Sequence, residues 1–118
     1  MAATHTSKTL YASASLAAST SVNATEWNAS TAYGGLAAVK LTNGATAPTT
    51  APTVKFYVGE STGTKRLFYT SSGDTTNSSV TDHICEMPLG TMFINITVTN
   101  GATNAITVEA YGQELTTI

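Results

Sequence analysis

Charged residues are scarce in this sequence. They make up 10% of its 118 residues, against about 25% in an average soluble domain. Thr, Ser, Asn and Gln therefore have to provide most of the polar surface. The net charge is −2, and the five basic residues are scattered except for the pair Lys65-Arg66. Because binding to nucleic acid requires several Lys or Arg side chains against the phosphates, this composition argues against a nucleic-acid partner.

Long apolar segments are missing as well. No stretch approaches the roughly 18 to 20 apolar residues of a membrane-spanning helix, and no basic cluster would hold the chain on a membrane surface. The N-terminus does not resemble a secretion signal, because Lys8 is its one basic residue and Ser13 and Ser15 interrupt its apolar part. We therefore expect no membrane partner, and synthesis in a cytoplasm.

The single cysteine, Cys85, excludes an internal disulfide. It belongs to the one cluster that resembles a catalytic set, Asp82-His83-Ile84-Cys85. In a strand, His83 and Cys85 would share a face and Asp82 would point the other way. A cysteine nucleophile also needs an orienting group and an oxyanion site, which nothing nearby supplies, and a buried free cysteine commonly fills space in a core. We therefore predict no catalytic residues and no enzyme activity.

Metal ligands are equally sparse. His5 and His83 are isolated from each other and from the cysteine, so no spacing matches a zinc site. Asp74 lies among Ser, Gly and Thr residues, where a calcium loop is one interpretation and a plain polar turn is the favoured one. The sequence thus predicts no metal site and no cofactor.

The first 34 residues differ from the remainder, because they are rich in Ala, Ser and Thr. A thin apolar face recurs at alternate positions, namely Leu10, Ala12, Ala14 and Leu16. This alternation predicts a weak strand over Thr9–Ser19. The alternative is an extended arm that becomes ordered only against a neighbouring molecule. We therefore divide the chain into an N-terminal arm or weak strand, residues 1–34, and a β domain, residues 35–118.

From residue 35 onward, apolar and polar residues alternate in short segments, which is the pattern of half-buried strands. The predicted strands are Ala37–Leu41, Val54–Val58, Leu67–Thr70, Val80–Met87, Met92–Val98 and Ile106–Ala110. We expect the last two to form a hairpin, with Gly112 as a β-bulge. Gly59–Gly63 and Pro88–Gly90 are predicted breaks. Seven or eight short strands with regular turns are typical of an antiparallel sandwich, a jelly roll or a small barrel. We predict an all-β fold of one of the first two kinds.

One motif occurs twice, as Leu-Thr-Asn-Gly-Ala-Thr at residues 41–46 and Val-Thr-Asn-Gly-Ala-Thr at residues 98–103. Each copy closes a predicted strand at an Asn-Gly turn signal. Reuse of one good turn sequence explains the repeat, and duplication of half a sandwich is the alternative.

Six aromatic residues stand out from this polar composition: Trp27, Tyr33, Tyr57, Phe68, Tyr69 and Tyr111. They suit a sugar-binding face, or the ends and subunit contacts of a sandwich, where Tyr and Trp are enriched. Tyr57 has the opposite parity to Val54 and Phe56, so we expect it to face outward. Together with the apolar residues of the arm, these considerations predict five interface residues: Leu10, Leu16, Trp27, Tyr33 and Tyr57.

The order of these features resembles the small β-sandwich decoration (cement) proteins and related minor structural proteins of tailed bacteriophage virions. An Ala/Ser/Thr-rich arm and Trp27 precede the segment Tyr33–Gly44 (YGGLAAVKLTNG), a proline-containing loop follows, and the chain closes on Met92–Val98 and Ile106–Tyr111. The resemblance implies a homo-oligomer, a dimer or a trimer, made in the host cytoplasm. It also implies that the oligomer binds the major capsid protein on the virion surface and stabilises the assembled head. A carbohydrate- or receptor-binding module of a tail or fibre is the alternative function.

Overall fold

The computed structural model describes residues 4–30, 32–59, 64–87 and 93–117. Their strands are β1 (Thr4–Leu16), β2 (Ser21–Asn23), β3 (Trp27–Asn28), β4 (Gly35–Asn43), β5 (Thr53–Gly59), β6 (Arg66–Ser72), β7 (Val80–Met87), β8 (Phe93–Thr99) and β9 (Ile106–Thr117). No helix in these ranges is long and apolar enough to cross a membrane. The predicted breaks at residues 60–63 and 88–90, and the predicted strand residue Met92, lie outside the described residues.

The strands form two antiparallel sheets. Sheet A has the order β1-β9-β4-β7, and sheet B has the order β2-β8-β5-β6, with β3 also paired to β8. Because β2 and β3 pair with successive parts of β8, through Val22↔Val98 and Trp27↔Ile94, they extend the same edge. Chain neighbours such as β4 and β5 lie in opposite sheets, which is the arrangement of a jelly roll. The all-β class and the sandwich or jelly-roll architecture predicted from the sequence are confirmed.

The core lies between the sheets and follows the predicted alternation. The side chains that fill it from β4, β5, β8 and β9 include Ala37, Val39, Leu41, Val54, Phe56, Ile94, Ile96, Val98, Val108 and Ala110. Each of them is at most 2% exposed. Burying one Val, Leu, Ile or Phe side chain stabilises a fold by about 1.5 to 3 kcal/mol, so these alternating positions hold the two sheets together.

The N-terminal segment is an edge strand of sheet A. It pairs with β9 from Thr4↔Thr117 to Leu16↔Ile106, so the strand begins earlier and ends earlier than predicted. The predicted boundary between residues 34 and 35 falls between β3 and β4, and strands on both sides of it pair within the same two sheets.

The alternation predicted for this strand is interrupted. Register shifts occur between Thr9 and Tyr11 and between Tyr11 and Ala14. As a result, Tyr11 packs against the core, whereas Ala12 is exposed. The expectation that Ala12 lies on the apolar face is wrong, because a shift of one residue moves a side chain to the opposite face of a sheet.

The predicted hairpin between the last two strands is also wrong. β9 lies between β1 and β4 in sheet A, whereas β8 lies in sheet B. Both strands bury one apolar face, and they do so from opposite sides of the same core. Asn100 helps to hold the crossing, because its side-chain amide donates to the carbonyl oxygens of Leu16 at 3.1 Å and Asn104 at 2.9 Å. Alternation indicates which face of a strand is buried and not which strand lies beside it.

The repeated motif occupies two equivalent crossings, from β4 to β5 and from β8 to β9. Asn43 and Asn100 are 5% and 3% exposed, and both donate to backbone carbonyls. The two loops contact each other, since the amide of Thr49 donates to the carbonyl of Ala102 at 3.0 Å. The motif therefore supplies a buried asparagine at two of the crossings between the sheets at this end of the sandwich.

Candidate interaction surfaces

The structure separates the five predicted interface residues. Leu10, Leu16 and Trp27 are 4%, 6% and 1% exposed, so they lie inside the chain's own core and cannot contact a partner in this conformation. Tyr33 is 46% exposed, and Tyr57 is half-buried. Tyr57 lies on β5 of sheet B, whereas Tyr33 lies in the segment between β3 and β4, beside Leu115 of β9 in sheet A.

Trp27 closes the core beside β9. A Cβ atom on Gly112 would lie 3.0 Å from two atoms of the indole ring, so this glycine makes room for the ring. The pairing of Gly112 with Lys8 and Ala37 is continuous, and the β-bulge predicted there is absent from these pairings. The indole N–H donates to the carboxylate of Glu114, which also lies 3.0 Å from the Lys8 ammonium group. These partners compensate for the burial of a carboxylate that is 6% exposed.

An open groove lies next to Tyr33. It has a volume of about 320 Å³ and is lined by His5, Tyr33, Gly34, Gly35, Leu36, Gln113 and Leu115. The amide of Tyr33 donates to the Leu115 carbonyl at 2.8 Å, which fixes the backbone beside the groove. Gly34 has a φ of 125°, a conformation that side-chain-bearing residues rarely adopt. An aromatic face together with an imidazole and an amide suits a polar ligand with a flat apolar side.

The outer face of sheet A combines an apolar row with a charged row. The register places Ala38 between Ile84 and Tyr111, which are 57% and 42% exposed. In the neighbouring row, Lys40 lies between Asp82 and Glu109. With Glu86 on β7, this face of β4, β7 and β9 carries three carboxylates and one lysine. The face is therefore acidic around an exposed apolar centre.

The outer face of sheet B is rich in hydroxyl groups. The Ser21 and Thr99 hydroxyls are 2.8 Å apart, and the Thr97 hydroxyl donates to Asn23 at 2.7 Å. Lys55 lies opposite Thr97 in the register. Because these polar groups bond to one another across strands, the face is polar although it carries few charges.

β6 and β7 end the two sheets on the same side of the sandwich. β6 exposes three consecutive large apolar residues, Leu67, Phe68 and Tyr69, to 52%, 48% and 45%. The sequence predicts a strand here but does not show that it is an edge strand with one described neighbour. The available signal is the run itself, because three consecutive apolar residues cannot all face the core of a two-layer fold.

The cluster around Cys85 has the geometry of a hydrogen-bonded core. His83 and Cys85 point inward and Asp82 is exposed, as predicted. His83 bonds to the Ser71 hydroxyl at 2.6 Å through Nδ1 and to the Thr81 hydroxyl at 2.9 Å through Nε2. Both imidazole nitrogens therefore have hydroxyl partners.

Burial shifts the pKa values of both groups. It lowers the pKa of His83, and the nearby Asp82 carboxylate opposes this shift in part. It raises the pKa of the Cys85 thiol, and Glu86 raises it further. A thiol with a raised pKa is a poor nucleophile, because the thiolate is the reactive form.

Asp74 organises a loop of protein hydrogen bonds. One carboxylate oxygen accepts from the Asn43 side chain at 2.9 Å and from the Thr76 amide at 3.2 Å. The other accepts from the Ser79 hydroxyl at 2.7 Å. This is the geometry of a polar turn, and no group of three His, Cys, Asp or Glu residues suited to a metal occurs within the described part of the chain.

Comparisons with known proteins show the fold. The sequence matches no protein-family model and no functionally curated protein. A protein of the Bacillus endospore appendages, a family of disulfide-linked pili, is 18% identical, with a TM-score of 0.57 over 100% of this chain and 93% of that chain. The SPBc2 prophage-derived protein YomS is 18% identical, with a TM-score of 0.52 over 98% and 96%. A chain of infectious bursal disease virus is 9% identical, with a TM-score of 0.60 over 96% of this chain and 32% of the viral chain. The chain thus shares its β-sandwich with pilus, prophage and viral proteins.

Proposed function

We propose that the chain is a structural protein of a virion, a decoration (cement) protein that binds the major capsid protein on the assembled head. Copies of the chain would contact each other on that surface and stabilise the shell against expansion. The proposal assigns no catalysis and no cofactor to the chain.

The observation that carries this proposal is the distribution of exposed apolar side chains. Among the residues that the structure describes, seven large apolar side chains are exposed, and they are Tyr33, Leu67, Phe68, Tyr69, Val80, Ile84 and Tyr111. Several lie together along the β6 edge and on the outer face of sheet A, and grouped exposure of this kind marks protein contacts. Since a capsid presents many identical sites, weak contacts of each copy would add up through multivalency. The shared fold with a prophage protein and a viral particle supports the proposal by analogy.

Co-sedimentation with heads that lack the protein tests the proposal. We expect the wild-type chain to sediment with heads, and Tyr111→Asp to bind at least about tenfold more weakly, because it places a charge in the apolar row away from the edge strand β7. Thr107→Asp, on the same face of β9 but beyond that row, is the matched control and should bind like wild type. Failure of the wild-type chain to bind at any concentration would refute the proposal.

A second candidate function is glycan binding at the groove beside Tyr33. The half-exposed ring next to His5 and Gln113 favours it, because sugars stack on aromatic faces while their hydroxyls bond to polar side chains. Binding on a glycan array that disappears in Tyr33→Ala and persists in Tyr57→Ala would support this function. Equal binding by both variants would exclude the groove as the site.

A further inference from the structure

Both sheets end in an open strand on the same side of the sandwich. Among the described strands, β6 pairs with β5 alone and β7 pairs with β4 alone, so each presents a row of unpaired backbone groups. The hydroxyl of Ser71 on β6 lies 2.6 Å from Nδ1 of His83 on β7. Ser71 and His83 therefore lie at the same height along the two open strands, one in each sheet.

The opposite side of the sandwich is less suited to strand pairing. β1 has three register irregularities, and β2 and β3 are only three and two residues long. Irregular and short edges are features by which proteins discourage edge-to-edge association. By contrast, β6 and β7 are seven and eight residues long, and β6 has one irregularity, near its beginning.

Charge distinguishes the ways in which these edges could pair. Arg66 is the one charged residue of β6, and it is exposed at the beginning of the strand. β7 exposes Asp82 and Glu86. Pairing of β7 with a second β7 would bring carboxylates together, which is unfavourable, whereas pairing of β6 with β7 brings opposite charges together.

Strand direction permits the unlike pairing. Residues 73–79 join the end of β6 to the beginning of β7, so the two strands run in opposite directions. Rotation about a two-fold axis parallel to the strands leaves the direction of each strand, and its position along the axis, unchanged. It therefore places β7 of a second copy antiparallel to β6 of the first, and β6 of the second copy beside β7 of the first.

From these observations we infer that a second copy of this chain binds the double edge, with β6 of each copy paired to β7 of the other in a two-fold dimer. Sheet A of one copy continues sheet B of its partner, and the interface is isologous. Because Ser71 is level with His83, the antiparallel pairing places Thr70 beside the partner's Ile84. It places the beginning of β6, with Arg66, beside the end of the partner's β7 that carries Glu86. The inference rests on the homo-oligomer of the proposed function and names its contact surface.

Sedimentation equilibrium and light scattering test this pairing. We expect the wild-type chain to be a dimer, and Arg66→Glu and Glu86→Lys to raise the dimer dissociation constant roughly tenfold or more each, because each creates two like-charge contacts. The double variant R66E/E86K, and an equimolar mixture of the two single variants, should recover the dimer. Glu109→Lys changes charge equally on the same sheet away from the edge, and it should dimerise like wild type.

Circular dichroism and thermal unfolding identify any variant that fails to fold, and the exposed charge changes are chosen to avoid this. A monomeric wild-type chain at tens of micromolar, or single variants that dimerise like wild type, would overturn the inference. A folded double variant that stays monomeric would overturn it as well. Head binding is measured separately, so a dimer that ignores heads refutes the proposed function alone, and a monomer that binds heads refutes the dimer alone.

Discussion

The indole N–H of Trp27 donates a hydrogen bond to the carboxylate of Glu114, and this contact joins β3 of sheet B to β9 of sheet A. The two residues are 87 positions apart in the sequence. Their contact closes one end of the core, beside Gly112, and places the Lys8 ammonium group next to the same carboxylate.

Replacing Trp27 by Phe should therefore destabilise the fold beyond the loss of apolar contacts. The carboxylate of Glu114 would keep Lys8 as a partner but lose its buried donor, which costs about 1 to 3 kcal/mol of unfolding free energy. Urea denaturation monitored by circular dichroism measures the change. Tyr33→Phe, at an exposed aromatic position, is the control and should change the free energy by less than about 0.5 kcal/mol. Equal stability of both variants would contradict the assigned contact.

The two glycines of the repeated motif should respond differently to alanine. A Cβ atom on Gly101 would lie 1.7 Å from the Thr50 carbonyl oxygen, whereas the nearest atoms to one on Gly44 are 3.9 Å away. We expect Gly101→Ala to lower the unfolding free energy by about 1 to 3 kcal/mol or more through overpacking. Gly44→Ala should be close to neutral. The same denaturation experiment measures both, and equal effects would show that the two loops do not touch as described.

The irregular register of β1 predicts an unusual pattern of tolerance. Leu16→Ala should cost about 2 to 5 kcal/mol, because the side chain is buried in the core. Ala12→Ser should change the unfolding free energy by less than about 0.5 kcal/mol, because Ala12 is exposed between two register shifts. A large loss of unfolding free energy for Ala12→Ser would show that Ala12 lies on the apolar face, as the uninterrupted alternation in the sequence predicts.

Acid should lower the unfolding free energy of the chain through His83, which bonds β7 to β6. Burial lowers the pKa of His83 in the folded chain, so the unfolded chain takes up the proton first as pH falls. Stability is then greatest above the unfolded pKa of about 6.5 and decreases as pH falls from there toward the lower pKa of the folded state. Urea denaturation at a series of pH values measures this slope. In His83→Gln, the unfolding free energy should change less with pH over this range. An unchanged pH dependence in the variant would rule out His83 as its source.

Strong alternation made several strands predictable from the sequence. β5 and β7 lie where Phe56 and His83 alternate with more exposed residues, since each of these strands buries a single face. The neighbours of β8 and β9 within the sheets were not predictable in this way. The predicted hairpin and the observed placement of the two strands in opposite sheets bury the same apolar faces.

The surfaces were harder to predict than the strands. In the sequence, Trp27 is a large aromatic residue in a polar segment, which favours an exposed interface residue. Its burial depends on Gly112 and Glu114, which come much later in the chain. The run Leu67–Tyr69 was visible in the sequence, but its exposure depends on β6 being the last of the described strands in its sheet.

Electron microscopy of heads reconstituted with the purified chain would show whether the chain binds the outside of the shell. We expect additional density of the size of this sandwich, or of its two-fold dimer, at symmetric positions on the outer surface of the shell. Heads that carry no such density after incubation with saturating protein, while the protein itself remains folded, would contradict the proposed function.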